Sequence, residues 1–424
     1  MRVSENREPR FFYGYVVVAA TFCIMVVTVG SSYTFGVFFK PMLSEFGWTR
    51  VLTSGAFSLS MLMAGLLSIV TGGLNDKFGP RILLTVCGVL LGLGYFLMSQ
   101  ISAVWQLYLF YGVIIGIAMS GVWAPLMSTL TRWFAKRRSM MSGVVLTSVG
   151  IGGLISPLVA DYLISTYDWR TAYIIIGSFA SIVVILAAQL LKRDPSQIGQ
   201  RPDGDNRRGG QEAKLETEGV SFKGAVYTRQ LYALLAVSFC FGFSQFVTVV
   251  HIAPHATELG FSDSSAAKVL ATISGLSIVG RIIMGSAADK IGNRLAYAVG
   301  FILMSLALFW LMTATKIWML YLFAAVFGFA FASIEASEAP IVARIFGLRS
   351  HGLIYGVAGF SFTIGAAIGP SLAGYIFDIT SDYNIAFLVS AIVGIVGLIL
   401  TTFLMPLTSK YEKNENIEAT LGKS

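Results

Sequence analysis

One arginine lies deep inside a long apolar stretch of the sequence. Arg281 follows Ser277-Ile-Val-Gly and precedes Ile-Ile-Met-Gly285. A charged guanidinium in hydrocarbon costs at least about 2.5 kcal/mol, so Arg281 should face a partner group or a water-filled cavity. Its planar fork matches a carboxylate and provides two parallel charge-assisted hydrogen bonds. Arg281 therefore predicts a binding site for a small carboxylate anion; the alternative is a snorkelling arginine or a purely structural ion pair.

Two glutamates lie in another apolar stretch, Ser333-Ile-Glu-Ala-Ser-Glu-Ala-Pro340. Glu335 and Glu338 are three residues apart and share one helix face, and Glu335 lies at a depth similar to that of Arg281. A carboxylate that alternates between pairing with arginine and binding a proton can carry that proton as the anion comes and goes. Glu335 is therefore either a proton carrier or a static partner of Arg281. Glu338 is a further candidate for proton coupling, but its position favours a side chain that faces the cytoplasm near Arg344.

A histidine and three aromatic residues complete the candidate site. His251 lies near the end of its apolar run, and because an imidazole can both accept and donate a proton it can join a proton path; the alternative is a hydrogen-bonded gate or a packing residue. Tyr33, Phe331 and Phe360 are candidates for the lining of the anion cavity, although aromatic residues in apolar helices commonly serve packing alone.

These residues belong to a chain that is too apolar for a water-soluble globule. Of its 424 residues, 55% are hydrophobic and 12% charged, and the mean hydropathy is +0.74. Apolar runs long enough to cross about 30 Å of hydrocarbon must be helices, because lipid offers no hydrogen bonds to the backbone. The sequence predicts an all-α membrane protein with twelve such spans, near 12–38, 53–73, 82–100, 105–131, 139–165, 169–191, 230–256, 264–286, 295–314, 317–343, 351–377 and 382–405.

The distribution of charge predicts the domains and the orientation. The only long polar segment, 192–229, separates an N-terminal six-helix bundle (1–191) from a C-terminal one (230–405), which is followed by a tail (406–424). Under the positive-inside rule both termini are cytoplasmic in a plasma (inner) membrane. The outer loops then receive only five of the 30 basic residues: Lys40, Arg50, Arg170, Lys268 and Lys316.

The net charge of +8 does not point to nucleic acid, because the basic residues flank the spans. We interpret the cluster of Lys136, Arg137 and Arg138 as a positive-inside cytoplasmic anchor; the alternative is a set of ion pairs with acidic groups of the other half in one transport state. The sequence contains no phosphate-binding loop, no metal-ligand spacing and no Ser/His/Asp arrangement, so we expect neither an enzyme nor a cofactor.

The two halves repeat each other at a constant offset of 213 residues. Asp76, Gly79 and Arg81 correspond to Asp289, Gly292 and Arg294. The same offset relates further positions in two separated segments, namely Gly143 to Gly356, Gly152 to Gly365, Pro157 to Pro370 and Tyr162 to Tyr375. Duplicated halves with a site between them are typical of secondary transporters. The counterpart of Arg281 is Ser68, so the buried charge breaks the repeat.

The chain resembles the major facilitator superfamily over its whole length. The loop motif of that superfamily, Gly-x-x-x-Asp-Arg/Lys-x-Gly-Arg/Lys-Arg, follows the second and the eighth span. We expect its aspartate to cap a helix or bind a basic partner, and its second glycine to make a tight turn. The matching residues are Gly72, Asp76, Gly79 and Arg81 in the first copy and Gly285, Asp289, Gly292 and Arg294 in the second.

Three shorter stretches resemble the monocarboxylate and oxalate/formate carriers of that superfamily. They are Trp133–Ser139, His251–Gly260 and Arg193–Gly204. The resemblance implies that an arginine four residues before the motif glycine of the eighth helix, here Arg281, binds the carboxylate. The aspartate that animal monocarboxylate transporters carry four residues earlier is Ser277 here, so coupling through it does not transfer.

The sequence thus predicts a monomeric secondary transporter that moves a small monocarboxylate such as lactate, pyruvate or formate together with a proton, with the bilayer as its environment. Oxalate/formate exchange ranks second, because the eleventh span lacks the lysine that oxalate carriers use there. A membrane sensor that keeps the fold without moving solute is the rival from another class.

Overall fold

Twelve long apolar helices form the part of the chain described by the computed structural model, residues 11–203 and 219–405. Each is long enough to cross a bilayer. We number them α1 to α12: Gly14–Phe39, Leu52–Phe78, Pro80–Met98, Val104–Trp133, Arg138–Thr166, Trp169–Leu190, Arg229–Glu258, Ser264–Ile291, Asn293–Leu311, Ile317–Phe346, His351–Thr380 and Asn384–Thr401. The tail at 406–424 and residues 204–218 of the central polar segment lie outside the described residues.

The helix ends agree with the predicted spans to within a few residues, except at the repeated motif. There α2 and α8 each extend five residues beyond the predicted ends at 73 and 286. Both helices end where a glycine takes a positive φ, 82° at Gly79 and 94° at Gly292, a conformation that other residues rarely adopt. Asp76 and Asp289 therefore lie in the last helical turn rather than in a loop.

Two spans that the sequence predicts as single helices are interrupted. In α1 the helix Gly14–Tyr33 is followed by a second helix, Phe35–Phe46. At the junction the Thr34 hydroxyl donates to the Ser31 carbonyl at 2.7 Å, a local bond that bends helices. In α4 a π-helical stretch, Tyr108–Ile115, precedes a turn just before Trp123; such stretches are frequent at functional sites.

The two halves pack by the same plan. In the first half α1 packs on α5 and α3 on α6; in the second half α7 packs on α11 and α9 on α12. The contacts repeat at residue level, because Gly152 lies against Val26 and Gly365 against Phe239, both pairs being related by 213 residues. The predicted fold class, two pseudo-symmetric six-helix bundles, is confirmed.

The halves meet along two equivalent helix pairs, α2 with α11 and α5 with α8. We call the end of the molecule at which Gly79 and Gly292 terminate their helices the motif face. Towards that face the pairs touch, with Gly150 of α5 against Ile278 of α8. One and two turns further along the same face of α5, Leu154 and Leu158 are 70% and 69% exposed.

The second helix pair diverges at the corresponding level. Gly65 of α2 lies against Thr363 of α11, and Thr363 is the counterpart of Gly150. Beyond it Ala367 and Ser371, on the same face of α11, are exposed. A passage between the halves is therefore closed at the motif face and open at the opposite face.

Candidate functional site

Arg281 and Glu335 form an ion pair between α8 and α10. Nε and Nη2 of the guanidinium both donate to Oε2 of Glu335, at 2.9 and 2.7 Å. The arginine side chain is 5% exposed and the glutamate 15%. The pairing follows from burial, since a guanidinium in low dielectric needs a counter-charge.

The pair leaves one edge of the guanidinium unused. Oε1 of Glu335 accepts a hydrogen bond from Gln245 of α7 at 3.2 Å. The Phe331 ring lies below the cation, 5.7 Å from Cζ of Arg281. Within the described part of the chain, Nη1 of Arg281 has no hydrogen-bond partner. An anion that reaches Arg281 finds a cation with an unpaired donor and a competing carboxylate.

Tyr33 brings the N-terminal half to this site. Its phenol interacts electrostatically with both Glu335 and Arg281. A Cβ atom added to Gly153 of α5 would lie 3.4 Å from the Tyr33 ring, and the residue is 54% exposed. A side chain that interacts with a buried pair and is still exposed faces the passage. Phe331 is buried at 5% exposure, and Phe360 is half-buried without a ring contact among the described residues. Tyr33, Phe331 and Phe360 remain predictions as substrate contacts.

Glu338 does not face the motif-face surface. It is 8% exposed, and its Oε1 accepts a hydrogen bond from the Ser238 hydroxyl of α7 at 2.9 Å. Arg344, the expected neighbour, lies instead near Gly292. The interpretation of Glu338 as a solvent-facing residue is therefore wrong. The face of α10 that carries Glu338 and Glu335 packs against α7, inside the C-terminal half.

His251 lies away from the ion pair. Its Nε2 is 3.0 Å from the Pro370 carbonyl oxygen of α11, and its ring lies 5.1 Å from that of Tyr383. These contacts are near the face opposite the motif face, and none of those in the described chain joins His251 to Arg281 or Glu335. The geometry supports the gate or packing alternative for His251.

The motif aspartates cross between the halves. Asp76 accepts hydrogen bonds from the backbone N–H groups of Gly352 and Leu353 at the start of α11, at 3.1 and 3.0 Å. Asp289 accepts the equivalent bonds from Ser139 and Met140 at the start of α5, both at 2.9 Å. A carboxylate at a helix N-terminus is stabilised by the unpaired N–H groups and the helix dipole. The cap that the sequence predicts thus exists, but on a helix of the other half.

Arg132 adds a further bond between the halves beside the contact of Asp76. Its Nη2 donates to Asp76 at 3.0 Å and to the Leu348 carbonyl of the other half, and its Nη1 lies 3.4 Å from Asp194. The pseudo-equivalent position of Arg132 is Ile345, so the ion pair has no counterpart on the side of Asp289.

The predicted basic cluster divides into two environments. Lys136 and Arg137 are exposed, as an anchor requires. Arg138 is buried at 8% exposure, and its Nε donates to the carbonyls of Thr131 and Phe134 at 3.1 and 2.7 Å. Its charge therefore serves the start of α5, not the headgroup region.

The remaining motif residues join helices within and between the halves. Arg81 donates to Oε1 of Gln189 at 2.7 Å, and Arg294 donates to the Thr401 carbonyl at 3.1 Å. Gly72 lies directly against the carbonyl of Gly352, and Gly285 against that of Ser139. These close approaches leave no room for a side chain, which is why glycine occupies both positions.

Comparison with known proteins identifies the family. The family model described as Major Facilitator Superfamily matches residues 21–286 and 234–423. The chain belongs to this superfamily. Monocarboxylate transporter 11 of Homo sapiens is 28% identical over 89% of this chain and 80% of its own length. Monocarboxylate transporter 13 of Rattus norvegicus is 26% identical over 92% of this chain and 88% of its own length.

A solved structure shows the same fold. The crystal structure of the human organic anion transporter MFSD10 (TETRAN) superposes with a TM-score of 0.71 at 15% identity, over 93% of this chain and 100% of that chain. This facilitator is therefore a multi-pass membrane transporter and not an enzyme.

Sequence reasoning missed several polar residues around the pair in this facilitator. Gln245 and Ser238 bind the two glutamates directly. The phenols of Tyr297 and Tyr355 interact electrostatically with Glu338. A hydroxyl or an amide in a long apolar run carries no periodic signal.

Proposed function

We propose that this facilitator is a secondary active transporter of small monocarboxylates that moves each anion together with a proton by alternating access. The observation that supports the proposal is the Arg281–Glu335 pair, which lies where the halves separate and leaves Nη1 of the arginine without a hydrogen-bond partner among residues 11–203 and 219–405. A buried cation with an internal carboxylate can exchange that carboxylate for a carboxylate from outside.

Charge balance couples the anion to the proton. In the structure Glu335 neutralises Arg281. When Glu335 binds a proton it loses its charge, Arg281 is released, and an anionic substrate takes the place of Glu335. The site then carries the same net charge with substrate plus proton as it carries empty. A neutral site has the lowest electrostatic cost when the two halves rock to expose it on the other side of the membrane. An anion without a proton would leave one excess negative charge in low dielectric.

The distribution of basic residues among the loops favours a topology in which the motif face and both termini are cytoplasmic, in a plasma (inner) membrane. The passage then opens to the outside, ready to accept substrate. Both halves that form the passage belong to one chain, so a monomer is sufficient for transport.

The substrate class follows from the charge and from the relatives. One arginine suits a monoanion better than a dianion, and α11 carries no lysine between His351 and Thr380. The relatives at about a quarter identity are named monocarboxylate transporters. Lactate, pyruvate and formate are therefore the first substrates to test, and oxalate/formate exchange is the second candidate function.

The test is counterflow in proteoliposomes with radiolabelled lactate, pyruvate, formate and oxalate, followed by lactate uptake with and without an inward proton gradient. We expect exchange of at least one monocarboxylate and acceleration of its uptake by the gradient. Arg281→Lys should lower uptake by about tenfold or more, because ammonium cannot offer the planar fork. Arg137→Lys, at an exposed arginine, is the matched control and should retain uptake.

Each other outcome has a distinct meaning. Exchange confined to oxalate and formate favours the antiporter, and binding without any exchange favours a sensor. Normal uptake by Arg281→Lys would show that the arginine does not clamp the carboxylate.

A further inference from the structure

A second carboxyl group lies buried beside the ion pair and takes no part in it. Glu338 is 8% exposed, Ser238 and Tyr297 are fully buried, and Tyr355 is 8% exposed. Ser238 donates to Glu338 at 2.9 Å, and both phenols interact with it electrostatically. We call these four residues, contributed by α7, α9, α10 and α11, the inner carboxyl cluster.

The N-terminal half has no such cluster. At an offset of 213 residues, the counterparts of the four cluster residues are Pro125, Met25, Leu84 and Ser142. The two halves nevertheless pack by the same plan, so the fold does not require a carboxyl group or a phenol at these positions. Polar groups buried without a structural need point to chemistry in the C-terminal half alone.

Among the residues that the structure describes, none with a positive charge pairs with Glu338. The groups that face it are the hydroxyl of Ser238 on α7, the phenols of Tyr297 on α9 and Tyr355 on α11, and Glu335 on its own helix. In the described part of the chain no lysine, arginine or histidine forms an ion pair with it. A buried carboxylate without a cation is unstable by several kcal/mol, so a proton must supply the missing charge.

Glu338 lies near Glu335 on α10, on the side towards the motif face. The two glutamates share one face of α10, and the phenol of Tyr355 interacts electrostatically with both. Glu338 lies three residues closer to the motif-face end of α10, which is about 4.5 Å along the helix axis. Glu338 is therefore placed between the site that faces the passage and the face that is closed in this structure.

We propose that Glu338 is a second proton site, which accepts the proton from Glu335 and delivers it to the motif face; this rests on the proposed function. Glu338, which holds a proton in this structure, first releases that proton to the motif face and becomes a carboxylate. The hydroxyl of Tyr355 then gives its proton to Glu338 as it accepts the proton of the Glu335 carboxylic acid, so one O–H bond breaks on Glu335 and one forms on Glu338. Glu335 is left as a carboxylate, pairs again with Arg281 and displaces the substrate anion. Proton transfer along α10 thereby drives substrate release.

The experiment compares Glu338→Gln with wild type in proteoliposomes that contain a pH-sensitive dye. Counterflow of the labelled monocarboxylate needs no net proton movement and should stay within about threefold of wild type, whereas uptake driven by a proton gradient, and the accompanying dye signal, should fall about tenfold or more. Glu258→Gln, at an exposed carboxylate on α7, is the matched control. Tyr355→Phe should slow gradient-driven uptake and leave counterflow unchanged.

Proton movement by Glu338→Gln at the wild-type ratio to substrate would overturn the relay and leave the proposed function intact. Absence of wild-type counterflow would instead refute the proposed function. A second measurement needs no transport: a hydrophobic carbodiimide modifies protonated buried carboxyl groups, and mass spectrometry of wild-type protein should find modified Glu338 between about pH 5 and about pH 8. An unmodified Glu338 across that range would also overturn the proposal.

Discussion

At the scale of single residues, the contact between Arg281 and Glu335 is not the two-oxygen fork that carboxylates offer to arginine. Both donating nitrogens share Oε2, while Oε1 binds Gln245. A complete fork uses two oxygens and two nitrogens and is the stronger arrangement. A substrate carboxylate that forms the complete fork can therefore compete with Glu335, and the incomplete pair is suited to exchange rather than to static support.

Glu335→Gln tests this exchange. The amide cannot neutralise Arg281, and breaking a buried pair costs about 3–5 kcal/mol, so we expect a lower melting temperature. A monocarboxylate supplies the missing charge, so it should raise the melting temperature of Glu335→Gln more than that of wild type. Thermal unfolding with and without lactate, pyruvate or formate measures both effects.

The same variant should lose the acceleration of uptake by a proton gradient. Glu258→Gln is the control for a glutamate that pairs with no buried cation in the described chain. An equal ligand shift in wild type and Glu335→Gln would show that the anion does not replace Glu335.

At the scale of helices, the halves touch through backbone contacts at glycines. Gly356 of α11 lies against the carbonyl of Ser68 on α2, and the Ser68 hydroxyl donates to the Gly356 carbonyl at 3.0 Å. The equivalent contact joins Gly143 of α5 to the carbonyl of Arg281 on α8. Helices approach this closely only where side chains are absent, so these positions control closure at the motif face.

Gly356→Ala should impair that closure. A Cβ at this position would overlap the Ser68 carbonyl, and backbone on both sides leaves nothing flexible to yield, so α2 and α11 must separate. We expect net uptake to fall by about tenfold or more. Gly359→Ala on the same helix is the matched control, because a Cβ there meets no atom within 4 Å. Equal uptake by the two variants would mean that the α2–α11 contact does not limit transport.

At the scale of the whole molecule, two equivalent latches hold the motif face closed, and they differ in strength. Asp76 binds the start of α11 and also the cation of Arg132. Asp289 binds the start of α5, and none of the ion pairs in the described chain includes it. Rocking of one half against the other must break both latches. The ion pair itself lies within the N-terminal half, but it holds Arg132 where its guanidinium also binds the Leu348 carbonyl of the other half, so the Asp76 side has one more bond to break.

Asp76→Asn should open the motif face more than Asp289→Asn. The first removes the charge that holds Arg132 beside the Leu348 carbonyl, so it weakens three bonds between the halves, whereas the second weakens two. Each such bond is worth about 0.5–1.5 kcal/mol. Spin labels at the exposed positions Lys136 and Lys290, one in each half, report the opening as a longer distance. Asp161→Asn, at an exposed aspartate of α5, is the control, and equal distances in both latch variants would contradict the asymmetry.

The sequence by itself determined the architecture. Apolar runs of about 20 residues must form helices in lipid, so twelve spans and the duplication followed from composition and from one constant offset. Arg281 was also predicted as the centre of the site, because a buried charge among apolar residues is costly and cannot be incidental. Its pairing with Glu335 was one of two interpretations that similar depth in the membrane allowed.

Only the tertiary structure decided which partners meet. Depth along a helix does not specify the direction in which a side chain points, so the burial of Glu338 against Ser238 and the position of His251 beside Pro370 needed the packed bundle. The motif aspartates show the same limit: local sequence predicts a helix cap, but the capped helix lies about 276 and 150 residues away. Which half receives the cap depends on how two bundles close against each other, and that is a property of their packing.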